Sequence, residues 1–293
     1  MRIAITGAAG MLGTAIRAEL SQLQHEVMAT EVRSKGDLQA LDIRDWEAVR
    51  SCLRDLRPDL VLHLAAETDV DRCEKEPDHA YATNTFGTEN VAWACREQGA
   101  AMVYVSTANV FNGEKLEPYT EYDQPGSLNA YGRSKLEGER VVEQVLDHFF
   151  ILRAGWMVGG WEIDKKFVYK MVQLSQSEKQ LKVVDDKIGS PTFTVDFARN
   201  LMPLIETGRY GLYHMANKGT GSRWEIAREI VSLLGKEQEV EVCPISSDEF
   251  PLPAPRPRSE MLHNMKLELI GMNHMPHWKE SLRSYIEENK VKI

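Results

Sequence analysis

The chain has 293 residues, 43% hydrophobic and 27% charged, an ordinary composition for a soluble globular protein with room for one large α/β domain or two smaller lobes. Its formal charge of −9 excludes a general nucleic-acid binder, which needs Lys and Arg in excess to neutralise phosphates. Small anionic ligands stay open, since a local cluster or a helix N-terminus suffices for them.

Cys52, Cys73, Cys95 and Cys243 show no CxxC and no metal-ligand spacing, so free thiols in a reducing compartment are expected and a structural zinc is not. His274 and His277, separated by a proline, read as a surface turn rather than a metal site. No signal segment and no run of about 18–20 apolar residues appears, which points to the cytoplasm and away from the membrane.

In chain order, "RIAIT" reads as a strand that runs into "TGAAGMLG", and Met11, Leu12, Ile16, Leu20 and Leu23 then recur at helical spacing. Gly7, Gly10 and Gly13 thus form GxxGxxG between a strand and a helix. Glycines there let the backbone turn sharply and approach a pyrophosphate, which the free N–H groups of the helix start would face. "HEVMATE" is a second strand. Its terminal Glu31, eighteen residues beyond Gly13, is placed to bond the adenosine ribose hydroxyls of NAD, whereas Arg33 is placed to accept a 2′-phosphate. Asp42 in "ALDIRD" reads either as a strand-end residue or as a partner of the adenine amino group.

"AVRSCLRDL" follows as a helix and "PDLVLHLAA" as a buried strand. "HAYATNTFGTENVAWACREQG" is one long helix ending at Gly99. "AMVYVST", "AYGRSKLEGERVVEQVL" and "HFFILRAGW" add strand, helix and strand. This β-α alternation predicts an α/β protein with a Rossmann-type doubly wound parallel sheet, helices on both faces and ligands at the C-terminal strand ends. Past about residue 158 the rhythm changes. "GGWEIDKKFVYKMVQLSQSEKQ" reads as a helix after a loop, and "LKVVDDKIGSPTFTVDFARNLMPLI" as strand, turn and helix. "GLYHMA" is a strand, and "SRWEIAREIVSLLG" a helix capped by Ser222. "FPLPAPRPRS" is a loop and "WKESLRSYIEEN" the last helix. The expected division is a dinucleotide-binding domain over 1–158 and 188–218, and a smaller lobe over 159–187 and 219–293.

Tyr131 and Lys135 stand four apart on one helix, with Ser106 and Thr107 ending the preceding strand. Residues at i and i+4 share a helix face at about 5–6 Å. An ammonium about 5 Å away at effective dielectric ~20 supplies roughly 3 kcal/mol, or about two pKa units, bringing a phenol toward acid–base work near neutrality. Thr107 would hold a carbonyl oxygen beside that phenol. With the glycine loop, this points to hydride chemistry on a ketone.

These three elements resemble the extended short-chain dehydrogenase/reductase superfamily. Over nearly the whole chain the match narrows to the dTDP-4-dehydrorhamnose reductase family, carried by "ETDVDRCEKEP", "GSPT" before a helix and the "RPRS" loop. The resemblance implies NADPH- or NADH-dependent reduction at C4 of a nucleotide-linked 4-keto-6-deoxyhexose, with Thr107, Tyr131 and Lys135 as the triad and no metal. Gly7, Gly10, Met11, Leu12 and Gly13 would line the pyrophosphate, Asp42 and Ile43 the adenine, and Leu64, Ala65, Ala66 and Thr68 the cofactor's middle. Lys135 would also bond the nicotinamide ribose, and Tyr131 would face both ligands. Val70, Thr107, Asn109, Trp156, Gly189 and Arg256 would meet the sugar nucleotide, Trp156 by packing on the hexose. A homodimer is the candidate assembly.

The chain departs from the family in clusters. Ala108 and Asn109 replace Asp-Tyr, Gly155 replaces a serine, and Ser259 and Glu260 stand where Asn-Ser is usual. Three alternatives therefore stay open: a reductase of another nucleotide-linked deoxy sugar, an epimerase with tightly held NAD, and a non-catalytic subunit resembling the β subunit of methionine adenosyltransferase.

Overall fold

Alternating β-branched and aliphatic runs with amphipathic helices dictate the first half of the computed structural model, which describes residues 1–163 and 166–290. The strands are β1 (Arg2–Thr6), β2 (Glu26–Glu31), β3 (Gln39–Ala40), β4 (Leu60–His63), β5 (Ala101–Thr107) and β6 (Phe149–Ala154). Between them run α1 (Met11–Leu20), α2 (Trp46–Leu56), α3 (Val70–Lys75), α4 (Pro77–Tyr81), α5 (Gly87–Gln98) and α6 (Ala130–Val145). Then come β7 (Trp156–Val158), α7 (Phe167–Ser177), β8 (Gln180–Val184), β9 (Ile188–Gly189), β10 (Pro191–Phe193), α8 (Thr194–Glu206) and β11 (Gly211–His214). The chain closes with β12 (Gly221–Ser222), α9 (Arg223–Leu233), β13 (Glu241–Ile245), β14 (Ser259–Glu260), α10 (Met265–Leu269) and α11 (Trp278–Glu288).

Seven strands form one sheet in the order β11-β6-β5-β4-β1-β2-β3, every pair parallel. A parallel sheet needs helical crossovers, so both faces are covered. Ile3, Ile5, Leu60 and Leu62 pack with α1 and α8 on one face, while Ala4, Val61, Met102 and Ile151 pack with α2, α5 and α6 on the other. A separate core joins Trp161, just after β7, with Val172, Leu181, Ile230 and Leu282 from α7, β8, α9 and α11. Leu267 and Met275, in the segment expected to serve the smaller lobe, instead enter the first core.

The caps are local. Asp45 accepts from Ala48 N at the start of α2, Gly99 ends α5 in the left-handed conformation, and Ser222 with Glu225 forms a capping box on α9. His277 caps α11. The expected long helix is interrupted: Ala82–Phe86 forms a π-turn between α4 and α5. The turn frees the Asn84 carbonyl, which accepts from the Thr88 hydroxyl. The Asn84 side chain bonds Ser134 on α6 and the backbone of Glu67. The helix expected after Gly159 begins at Phe167, and Asp164 and Lys165 from that stretch lie outside the described residues. Strand "HFFILRAGW" divides at Gly155 into β6 and β7, and β7 pairs with β10. Among the described residues no helix is long and apolar enough to cross a membrane.

One buried ion pair locks α6 to the sheet. Arg153 on β6 donates Nε and Nη2 to the Glu139 carboxylate at 2.9 and 2.6 Å, and the Ser106 hydroxyl donates to it at 2.5 Å. Removing one member strands an uncompensated charge. Arg153→Ala is expected to lower stability by about 3–5 kcal/mol in a denaturant titration. A loss below about 1 kcal/mol would show the pair to be dispensable.

Candidate functional site

A cleft of about 1250 Å³ opens along the C-terminal ends of β1, β2, β4, β5 and β6 and continues under the smaller lobe. Its floor at one end is the glycine loop. Gly7 has φ +69°, and a Cβ there would lie 2.7 Å from Ala65 N; a Cβ on Gly13 would lie 2.6 Å from Gly7 O. The cradle is thus backbone packed on backbone, and side chains at these positions would fill it. Gly10 precedes α1 with no side-chain cap, which leaves the first N–H groups of the helix facing the cleft. That fits an anionic dinucleotide. Glu31 lies beside the loop and is held there by Ala9 N and Val32 N at 3.1 and 3.0 Å.

Asp42 and Ile43 line the same end, but the Asp42 carboxylate is engaged by Arg44 through the backbone N–H, Nε and Nη2. That hydrogen bonding, led by the guanidinium, holds the acid below its usual range. Arg33 does not line the cleft, whereas Arg44 does. The neighbourhood of β2 in the sequence suggested the former. The fold presents the latter, because the strand Gln39–Ala40 pairs beside β2 and carries the following turn to the cleft. Leu64, Ala65, Ala66, Thr68 and Val70 line the middle.

At the far end Thr107 closes β5, and Asn129 caps α6 by accepting from Gly132 N at 2.8 Å. This start sets Tyr131 one turn before Lys135, both on the cleft wall. Thr107 and Tyr131 line the cleft together, and the Thr107 hydroxyl accepts from Asn109 N at 3.2 Å. Lys135 is only 3% exposed, and its Nζ sits 4.0 Å over the Tyr104 ring, a cation–π contact.

The electrostatics differ from the expectation that Lys135 draws the phenol down. Burial pushes Tyr131 up to about 12, with Thr107 opposing it and Cys73 and Glu260 adding to it. Burial pushes the Lys135 ammonium down to about 7, with Glu139 pulling the other way. Both groups lose water on the cleft wall, and desolvation outweighs the nearby charges.

Trp156 starts β7 and is largely buried, with the Arg223 guanidinium 3.7 Å over its ring. Gly189 does not line the cleft but backs the indole, where a Cβ would lie 2.5 Å from the ring. Asn109 and Arg256 do reach the cleft, Arg256 paired with Asp71 at 3.0 Å. Lys187, Arg223, His79 and Arg72 also line it and had no local signal in the sequence. They come from loops and helix starts scattered over both lobes. Glu260, noticed only as a departure from the family, stands buried at the same end.

The family model of the RmlD substrate binding domain matches residues 1–291. A crystal structure of a dTDP-4-dehydrorhamnose reductase from Clostridium acetobutylicum ATCC 824 is similar at 40% identity and a TM-score of 0.93, covering 100% of both chains. A crystal structure of dTDP-4-dehydrorhamnose reductase from Bacillus anthracis str. Ames, in complex with NADP, is similar at 36% identity and a TM-score of 0.92, covering 98% of this chain and 99% of that one. A dTDP-4-keto-6-deoxy-D-glucose reductase from Streptomyces niveus is 34% identical over 95% of this chain and 94% of its own length.

The buried lysine makes a stability measurement diagnostic. Its folded pKa of about 7 lies below its ordinary 10.5, so between these values the unfolded chain binds the extra proton and stability rises with pH. Below about 7 the cost of burying the ammonium is present in full; above 10.5 it is gone. Lys135→Met is therefore expected to melt at a higher temperature than the parent at pH 7, with the gain shrinking toward pH 10.5. A gain independent of pH would mean that packing, not charge, sets the effect.

Proposed function

The chain belongs to the RmlD substrate binding domain family, and from that premise we propose that it is an NAD(P)H-dependent oxidoreductase acting on the C4 ketone of a dTDP-linked 4-keto-6-deoxyhexose. In its simplest form the reaction takes dTDP-4-dehydro-L-rhamnose to dTDP-L-rhamnose. The observation that carries this reading is one cleft with a dinucleotide cradle at one end and Thr107, Tyr131 and Lys135 at the other.

Reduction of a ketone needs a hydride at carbon and a proton at oxygen, and bound NADPH or NADH supplies the hydride. Tyr131, protonated at neutral pH given its raised pKa, donates the proton to the carbonyl oxygen, while Thr107 hydrogen-bonds that oxygen and fixes it beside the phenol. As the phenol gives up its proton, negative charge develops one helical turn from Lys135. With a pKa of about 7, Lys135 is poised either to stabilise that charge or to return a proton to the phenolate oxygen. Glu139 stands behind it and favours the ammonium. Gly7, Gly10, Met11, Leu12 and Gly13 would hold the pyrophosphate, Glu31 the adenosine ribose, and Asp42 with Ile43 the adenine. Leu64, Ala65, Ala66 and Thr68 would hold the cofactor's middle, and Val70, Asn109, Trp156 and Arg256 the sugar nucleotide. In this arrangement the cofactor rests on 1–158 and 188–218, and the lobe of 159–187 and 219–293 covers the sugar, apart from the stretch around Leu267 and Met275 that packs in the first core.

The substrate end favours one further reading. Asn109 and Glu260 stand where the family usually carries other side chains, which supports a sugar differing from rhamnose in its ring substituents. The free Cys52, Cys73, Cys95 and Cys243 are consistent with a cytoplasmic setting. Phe86 and Trp93, 59% and 44% exposed seven residues apart along α5 and its entry, support a homodimer through that helix.

Two outcomes are expected. Tyr131→Phe should lower kcat by about 10²–10⁴-fold in an assay of nicotinamide oxidation with dTDP-4-dehydro-L-rhamnose, while NADPH binding by calorimetry stays within a few-fold; undiminished turnover would remove Tyr131 from the chemistry. Trp93→Glu should convert a dimer to a monomer on gel filtration, and a parent that already elutes as a monomer would dismiss the interface.

A further inference from the structure

Glu260 is 7% exposed, yet it faces the cleft. It arrives on β14, which pairs with β9 beside Gly189. Its two oxygens meet two donors from the protein side. Asn109 Nδ2 donates to Oε2 at 2.6 Å, and Trp156 Nε1 donates to Oε1 at 2.9 Å.

The polarity of this arrangement is forced from the start of α6. The Gly132 backbone N–H can only donate, and it takes Asn129 Oδ1. Asn129 Nδ2 must then point outward, to Asn109 Oδ1 and the Pro255 carbonyl, each at 3.0 Å. Asn109 is left with its amide nitrogen toward Glu260. An indole N–H also only donates. Both donors therefore require an acceptor at both oxygens, which an ionised carboxylate supplies and an amide does not.

A carboxylate offers about four lone-pair sites, of which Asn109 and Trp156 take two. A ligand group meeting the others must donate a hydrogen bond. Arg223, Arg256 and Lys187 already act on this carboxylate, so a neutral donor suits the place better than another cation. Asn109, which holds Glu260, also donates its backbone N–H to the Thr107 hydroxyl at 3.2 Å, and Thr107, Tyr131 and Glu260 line the same cleft, so the carboxylate stands beside the place proposed to receive the ketone oxygen. In a 4-keto-6-deoxyhexose the ring carbons flanking the ketone are C3, which bears a hydroxyl, and C5, which bears a methyl group.

We propose that Glu260 is a specificity-determining residue that accepts a hydrogen bond from the hydroxyl on C3 of the sugar, selecting 4-keto hexoses that keep this hydroxyl over those deoxygenated there. The inference rests on the reductase reading above. Asn109 and Trp156 act through Glu260 as positioning residues: they hold both oxygens so that the remaining lone pairs face the sugar.

The test crosses two proteins with two substrates: the parent and Glu260→Gln, each assayed with dTDP-4-keto-6-deoxyhexose and with its 3-deoxy analogue. A hydrogen bond to a charged group corresponds to a preference of about 10- to 100-fold. The parent is expected to show that preference in kcat/KM for the hydroxylated substrate. Glu260→Gln should lose it, falling at least about 10-fold further on the hydroxylated substrate than on the analogue. Calorimetry of the parent with dTDP-L-rhamnose and its 3-deoxy counterpart reads the same preference without turnover. If the parent binds the two equally, the proposal is overturned whatever the variant does. Equal losses on both substrates in Glu260→Gln would reduce Glu260 to a structural role, which also overturns it. Should the parent reduce neither ketone yet still prefer the 3-hydroxylated ligand, the reductase reading fails and the hydroxyl site stands.

Discussion

Helix α6 must bury a polar stripe, and much of the molecule is arranged around that requirement. Tyr131, Ser134, Lys135, Gly138 and Glu139 share one face, and most of it is shielded from water. Each polar group on it needs a partner, since an unpaired buried charge costs several kcal/mol. The partners come from different elements: Ser106 from β5 and Arg153 from β6 bond Glu139, Asn84 from the π-turn bonds the Ser134 hydroxyl, and Tyr104 and Thr85 donate to the backbone carbonyls of Lys135 and Ser134. The neighbouring order of β5 and β6 and the extra residue in the helix before α5 both serve this satisfaction. Tyr131 and Lys135, the pair proposed to react, thus stand on a helix that these contacts tie to the sheet.

The cost of that burial is visible in the two groups expected to do the chemistry. Tyr131 is driven up and Lys135 down, so in the proposed reaction the pair would start with a protonated phenol and an amine balanced near neutrality. A proton can then pass between positions a helical turn apart with little net change in charge inside the cleft. Thr107 opposes the rise at Tyr131, which ties the strand end to the helix electrically as well as sterically. Farther along the cleft the same logic recurs with opposite sign. Glu260 is a buried acid raised by its desolvation, and Trp156 and three cations restrain the rise.

What could be read in advance followed from neighbours in the chain. The strand-loop-helix at Gly7, Gly10 and Gly13 depends on local turn geometry. The i, i+4 placement of Tyr131 and Lys135 depends on helical pitch, and the caps at Ser222 and Gly99 on hydrogen bonds within one turn. The interrupted helix at Ala82–Phe86 was not legible, because nothing local distinguishes it; it is drawn by Ser134, some fifty residues away. Arg33 was a reasonable neighbour of the cofactor end, but the register of β3 turned Arg44 there instead.

By itself, then, the sequence determined the α/β architecture, the strand-glycine loop-helix unit and the placement of Tyr131 and Lys135 on one helix face, since each rests on spacing within a few residues. Only the tertiary structure decided how burial shifts Tyr131 and Lys135 and which side chains meet at the far end of the cleft. Glu260 reaches Asn109 across 151 positions and Trp156 across 104, and Arg223 comes to lie on Trp156 from the other lobe. Desolvation and long-range polar pairing depend on which surfaces the fold closes against one another, and no periodicity in the chain encodes that.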